Sequence, residues 1–306
     1  MIIIACPGQG SQTPGFLKDW IDDAESIKLL EKLSEASGID LIKHGTESDA
    51  DTIRDTAIAQ PLIVAASLLA WQALTRATDT SAVGVAGHSV GEFAAASIAG
   101  ILSPDDALRL VGVRGRAMAE AATKEATSMS AVVGGDPDDV IAKIEELGLT
   151  PANRNGGGQI VAAGRVEQLR VLKEEAPRGT RVIPLQVAGA FHTSFMASAI
   201  PKLEHASNKV IAKDPALKIW TNASGRIVSS GQEYLSLLVS QIAQPVRWDL
   251  CMSSFQEAEI KGMIELTPAG ALTGIAKRGL RGTPTVAVKA PSDIESAVKL
   301  LSETNS

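Results

Sequence analysis

Aromatic side chains are scarce in this chain. They make up 3% of its 306 residues, and there is a single tyrosine. A core so poor in rings suits helices packed closely on a sheet through small residues. Cysteine is nearly absent too. Cys6 and Cys251 are too few and too far apart for a disulfide framework, so a reducing cytoplasm is the expected setting. Positive charge is in deficit, with a net charge of −6. That argues against nucleic acid as the main partner, while leaving room for a local basic patch. No apolar run reaches the ~18 residues expected of a membrane span. The start, MIIIACPGQG, has neither a basic leader nor room for a signal segment. There are no repeats and no low-complexity tract. The expectation is a soluble, cytoplasmic protein without a membrane partner.

What is present suffices for one large core with a smaller satellite domain: 45% hydrophobic residues and 27 glycines. Ile2 to Cys6 is a short apolar run ending at Pro7-Gly8, the pattern of a buried parallel strand. Residues 60–75 predict a long apolar helix begun by Pro61. A strand at 83–86 is followed by a helix after Ser89. Ser103 and Pro104 then open another helix as cap and first residue. Strands alternating with helices imply a parallel sheet covered on both faces.

The pattern changes near residue 125. Strand 128–133, helix 136–147, strands 150–154 and 159–163, helix 166–175 and strand 181–185 give the order βαββαβ, a ferredoxin-like unit. A helix over 199–211 and strands at 218–222 and 262–266 return to the large domain. The expected organisation is a discontinuous catalytic domain, 1–125 and 188–306, with an insertion at 126–187.

Gly87-His88-Ser89-Val90-Gly91 fits G-x-S-x-G between a strand and a helix. Side chains at the two glycines would collide across so sharp a turn. The helix start favours negative charge beside the serine. Ser89 is either a nucleophile or a small residue at a bend. A nucleophile needs a base, and there are four histidines. His44 and His205 lie in polar segments and read as solvated surface. His88 adjoins the serine but points away from it across the elbow, as a packing or hydrogen-bonding residue would. His192 sits in a small-residue loop just after the insertion, where an exposed catalytic group is expected.

In the helix 106–122, Leu110, Val111, Met118 and Ala122 form an inner stripe, and Arg114 falls on it. An inward arginine is costly unless paired. Its partner is either a nearby Asp or Glu or a substrate carboxylate held by a bidentate fork. Arg116 points elsewhere and reads as solvated. Asn155, beside the run Gly156-Gly157-Gly158, either faces a cleft between the domains or caps a turn.

Five motifs occur in order: Pro7-Gly8-Gln9-Gly10-Ser11-Gln12, Gly87-His88-Ser89-Val90-Gly91-Glu92, Val113-Arg114-Gly115, Gly189-Ala190-Phe191-His192, and the run from Gln241 to Trp248. Together they resemble the malonyl-CoA:acyl carrier protein transacylase family, shared with polyketide synthase acyltransferase domains, over residues 3 to about 290. The resemblance implies an α/β-hydrolase-like large domain with a parallel sheet and a ferredoxin-like insertion. It implies Ser89 as nucleophile and His192 as base, with the backbone carbonyl of Gln241 orienting His192 in place of an acidic third residue. It places the oxyanion on the N–H groups of Gln9 and Val90, and the malonyl carboxylate on Arg114. His88 and Asn155 would also line the substrate site. Phe191 is similar to the residue of malonyl-selective members. Methylmalonyl-selective relatives tend to carry serine there, which leaves space for a methyl group. Gly189 stands where many modular domains have histidine.

The implied reaction transfers malonyl from malonyl-CoA to holo acyl carrier protein through an ester on Ser89. No metal and no cofactor are implied, since the phosphopantetheine belongs to the carrier. Family members of this kind are mostly monomers. Carrier proteins are acidic, so docking needs local positive charge: Lys277, Arg278 and Arg281, or Lys173 and Arg178. Any one of these is also an ordinary solvated charge. Two rivals remain: a serine hydrolase releasing acyl groups to water, and a non-catalytic module retaining the fold.

Overall fold

Every residue of β1 (Ile2–Cys6) is buried, because helices cover the sheet on both sides. The computed structural model describes residues 1–305. After β1 the chain forms β2 (Gly84–Gly87), β3 (Thr127–Gly134), β4 (Thr150–Gly156) and β5 (Gln159–Arg165). The remaining strands are β6 (Thr180–Pro184), β7 (Lys218–Trp220), β8 (Ile227–Val228), β9 (Gly262–Glu265) and β10 (Thr285–Ala287). Two sheets result, ordered β10-β9-β1-β2-β7-β8 and β4-β5-β3-β6.

The first sheet is parallel from β10 to β7, with β1 beside β2 and β9 at its centre; the short β8 pairs antiparallel with β7. The parallel sheet of the expected α/β fold is therefore present. The second sheet is antiparallel throughout. Its strands and the helices Pro137–Glu146 and Val166–Glu174 follow the order βαββαβ. It has its own apolar core, with Val132, Val140, Ile144, Leu149 and Leu172. The entering strand β3 pairs directly with the leaving strand β6, Ser130 opposite Pro184. At its other edge, β4 reaches the large sheet's side of the molecule. Arg154 N–H donates to Val246 O at 2.9 Å and Val246 N–H to Ala152 O at 2.8 Å.

Three expectations need correction. The apolar helix runs Thr56–Ala77, and Asp55 caps it by accepting from Ala57 N–H, so Pro61 lies inside it and does not begin it. By length and composition this helix could cross a membrane, contrary to the sequence reading, but 72% of its apolar window is buried inside the protein. The helix foreseen at 199–211 is only Ile200–Ser207, preceded by a 3₁₀ segment at Ser194–Ala199. Pro201 fixes its first turn and Ser207 Oγ bonds back to Glu204 O at its end. Strands β8 and β10 were not foreseen; two or three residues are too short to show a period.

Candidate active site

The two loops that leave β1 and β2 lie side by side at the carboxyl edge of the parallel sheet, where ligands of such sheets bind. His88 N–H donates to Cys6 O at 2.9 Å, so the pairing of the strands continues into the turn. Ser89 has φ +52°, a left-handed conformation unusual for serine, and the helix Gly91–Ile98 begins two residues later. Both flanking glycines are sterically required. A Cβ on Gly87 would stand 2.1 Å from Gly91 C, and one on Gly91 2.2 Å from Cys6 O. Asn222, just after β7, clamps the strained turn. Its Oδ1 accepts Ser89 N–H at 2.8 Å and its Nδ2 donates to Gly87 O at 2.7 Å.

His192 also has a left-handed φ, +61°, and is 3% exposed. Its Nε2 is 2.6 Å from Ser89 Oγ and its Nδ1 is 2.9 Å from Gln241 O. A carbonyl can only accept, so Nδ1 carries the proton and Nε2 presents its lone pair to the serine hydroxyl. Burial, and then the positive charge of Arg114, push the imidazole pKa down to about 3. His192 is thus neutral at physiological pH, as a base must be. Burial likewise holds His88 below the ordinary range. His88 lies edge-on to Trp248 and its Nε2 is 2.8 Å from Asn155 Oδ1. Its neighbour's chemistry is left to His192.

Arg114 is 1% exposed on the helix Pro104–Ala122. The alternatives left open by the sequence are narrowed, for among the described residues no carboxylate bonds to it. NH1 donates to Gln60 Oε1 at 2.6 Å and NH2 to Gln241 Oε1 at 2.8 Å, while NH2 lies 3.5 Å from Ser89 Oγ. Its Nε is buried without a hydrogen-bond partner among the described residues. Burial lowers its pKa to about 10, opposed by the nearby charge of Glu92, so it remains a cation at neutral pH. Arg116 is exposed and donates to Ser37 O at 2.9 Å.

A cavity of about 250 Å³ opens between the two sheets. Ser89, His192, Arg114 and Phe191 line one wall, and Asn155 and Val161 are among the residues of the other. Gln9 and Val90 line it as well. Asn155 therefore faces the cleft, 5% exposed, and its Nδ2 also donates to Gln159 Oε1 at 2.8 Å. Gln9 is anchored through Nε2 to Arg54 O at 3.2 Å. A Cβ on Gly189 would meet Ala122 Cβ at 2.8 Å, so the loop before His192 packs too tightly on the arginine helix for a side chain there.

The other histidines stay outside. His44 bonds Ser48 Oγ at 2.9 Å and His205 is exposed. Of the basic candidates, Lys277 and Arg278 end the helix Ala271–Gly279, whose Leu272 and Ile275 line the cavity. Arg278 Nε donates to Gly157 O at 2.9 Å, joining this helix to the small sheet. Lys173 and Arg178 are exposed and do not line the cavity. Among the described residues no group of three or more His, Cys, Asp or Glu side chains is placed to hold a metal.

Sequence reasoning missed Gln60, Asn222 and Glu92. Glu92 is 1% exposed, and burial raises its pKa to about 7. It was the last residue of the quoted elbow motif, and Gln60 was a polar residue in an apolar helix. Asn222 gave no signal beyond its place at a strand end.

Residues 4–299 match the acyl transferase domain family. The malonyl CoA-acyl carrier protein transacylase of Mycobacterium tuberculosis is 47% identical over 302 residues, covering 98% of this chain and 100% of that protein. A crystal structure from the same organism superimposes with a TM-score of 0.93 over 97% of this chain and 99% of that one. A malonyl transacylase solved in complex with its type II polyketide synthase acyl carrier protein gives a TM-score of 0.92 at 27% identity, covering 97% and 99%.

Proposed function

Since this chain belongs to the acyl transferase family, we propose that it moves malonyl from malonyl-CoA to the phosphopantetheine thiol of an acyl carrier protein, supplying extender units for fatty acid synthesis. The observation that carries the reading is the buried, charged Arg114 beside a serine–histidine pair. Its NH2 lies 3.5 Å from Ser89 Oγ, and Ser89 Oγ is 2.6 Å from His192 Nε2. A plain esterase has no use for a cation at that position. An acyl group ending in a carboxylate does.

The reaction has two halves. The Ser89 hydroxyl gives its proton to His192 Nε2 while Oγ attacks the thioester carbon. The oxyanion settles on the N–H groups of Gln9 and Val90, each worth roughly 3 kcal/mol. Neither N–H has a hydrogen-bond partner among the described residues, and Val90 caps the helix Gly91–Ile98, whose dipole favours the negative charge. The carbon–sulfur bond breaks, CoA leaves with the proton from His192, and a malonyl ester stays on Ser89. In the second half the carrier's thiol gives its proton to His192 and its sulfur attacks the ester. Ser89 Oγ departs and recovers that proton. Gln241 O holds the imidazole in one tautomer through both halves, at 2.9 Å from Nδ1. Protein groups supply each of these roles, without a cofactor.

Phe191, 7% exposed in the cavity wall, limits space beside the malonyl carbon. His88 and Asn155 face the arm of the thioester. The carrier docks at the basic end of the helix Ala271–Gly279, with Lys277, Arg278 and Arg281, beside the cavity. The enzyme works as a cytoplasmic monomer.

Brief incubation with malonyl-CoA or acetyl-CoA, then intact mass and peptide mapping, tests the reading. A malonyl ester on Ser89 with little acetyl ester is expected. CoA release without an adduct would favour hydrolysis. Neither adduct nor release would refute the substrate.

A further inference from the structure

The cation that holds the substrate carboxylate depends on a glutamine, and that glutamine depends on a buried acid that touches no substrate. Gln241 Nε2 donates to Ser89 O at 3.1 Å and to Glu92 Oε2, while Gln241 Oε1 accepts from Arg114 NH2 at 2.8 Å. Arginine can only donate and a carbonyl can only accept. The amide therefore has one workable orientation, nitrogen toward Glu92 and oxygen toward Arg114. The other carboxylate oxygen is also committed. Glu92 Oε1 accepts Asn222 N–H at 2.7 Å and the Tyr234 hydroxyl at 3.3 Å.

Both ends of Glu92 thus face donors, and only a carboxylate offers two acceptor ends. Resting on the arginine assignment above, we infer that Glu92 is a positioning residue for substrate selection: it fixes the Gln241 amide so that its oxygen holds the Arg114 guanidinium toward the acyl pocket. A glutamine at 92 cannot do this. Its oxygen would go to the end that faces two donors, Asn222 N–H and Tyr234 OH. Its NH₂ would then confront the Gln241 NH₂. Gln241 would turn over, present nitrogen to the arginine, and leave NH2 of Arg114 without its acceptor.

Two other roles for Glu92 predict different results. As a mere counter-charge it weakens the clamp, so neutralising it would raise malonyl preference. As a support for the elbow alone, acting through Asn222, it would affect every acyl-CoA equally.

The experiment measures kcat/KM for malonyl-CoA and acetyl-CoA at about pH 8, where Glu92 is ionised, in wild type, Glu92→Gln, Gln241→Met, the double variant and Arg114→Ala. Gln241→Met keeps the backbone carbonyl that holds His192. The malonyl-to-acetyl ratio is expected to fall roughly tenfold or more in Glu92→Gln, the loss of one hydrogen bond to a charged group. The double variant should fall no further than Gln241→Met alone, because Glu92 acts through that amide. An unchanged or raised ratio in Glu92→Gln overturns the inference, and so does additivity in the double variant. Should Glu92→Gln not fold, an unchanged ratio in Gln241→Met overturns it equally, and a lowered one supports the amide as the carrier of the effect. If Arg114→Ala itself keeps the wild-type ratio, the arginine clamp falls first and this inference with it. A collapsed ratio in Arg114→Ala beside an intact one in Glu92→Gln refutes only the role of Glu92.

Discussion

Replacing Arg114 with alanine should separate malonyl from acetyl transfer, and the structure sets the size of the effect. A guanidinium has five N–H donors. Three are used, by Gln60 Oε1, Gln241 Oε1 and, at 3.5 Å, Ser89 Oγ. The long contact to Ser89 Oγ can yield to a substrate carboxylate, and the buried Nε has no hydrogen-bond partner among the described residues. A malonyl carboxylate engaging two of the donors gains roughly 1.5–3 kcal/mol per bond. Arg114→Ala should then lower kcat/KM for malonyl-CoA by roughly 10²–10⁴-fold. Acetyl-CoA makes neither bond, so its kcat/KM should stay within about tenfold of wild type. Because two glutamine oxygens already pair part of the cation, wild type rejects acetyl less severely than a wholly unpaired arginine would. Arg114→Lys should fall between, keeping the charge and losing the fork. The assay is steady-state transfer to one holo carrier protein from each thioester. Equal losses on the two substrates would refute the clamp and mean that Arg114 only supports the fold.

Two further predictions concern pH and docking. Because the His192 pKa is held near 3 instead of 6.5, kcat/KM for acetyl-CoA, which does not use the Arg114 clamp, should stay flat as pH falls through 6.5. Arg114→Ala removes one cause of that depression, so its acid limb on acetyl-CoA should move to higher pH. A wild-type limb centred at 6.5 on acetyl-CoA would contradict the buried neutral imidazole. For stability, below pH 6.5 the unfolded chain binds a proton on this histidine that the native state refuses, so native stability falls by about 1.4 kcal/mol per unit. Glu92, raised from 4.5 to about 7, acts with opposite sign between those values, since the native state there holds a proton that the unfolded chain releases. The two offset each other from 6.5 down to 4.5, and the loss appears below 4.5. Urea denaturation of His192→Asn beside wild type checks this: the variant should lose less stability on going from pH 6 to pH 4. For docking, Arg278→Glu with Arg281→Glu should raise KM for the carrier several-fold and spare KM for malonyl-CoA. Unchanged carrier kinetics would exclude that patch.

The elbow was legible because its constraint is local. Gly87, Ser89 and Gly91 interact with chain a few residues away and with β1, and the clash of a Cβ follows from the spacing alone. Arg114 was legible because a charge on an apolar stripe breaks a helical period. Its true partners were not, since Gln60 and Gln241 lie 54 and 127 residues away and glutamine breaks no pattern strongly. Asn222 meets Ser89 across 133 residues, a pairing that the order of strands β1, β2 and β7 creates and local sequence does not carry. The same distinction holds for the fold. The βαββαβ order was readable from alternating periods, whereas the start of the helix at Thr56 rested on a single cap, Asp55, in a polar segment.

The direct pairing of β3 with β6 has a kinetic consequence. Ser89 and His192 are 103 residues apart in sequence. The small sheet closes its own ends when Ser130 meets Pro184, so once it has formed, most of that span no longer counts as slack chain. The remaining loop is about half as long, which lowers the entropic cost of bringing the two residues together by about 0.6 kcal/mol. An early-folding insertion would therefore act as a tether that shortens the search of the large domain for its own active site, besides furnishing one wall of the cleft.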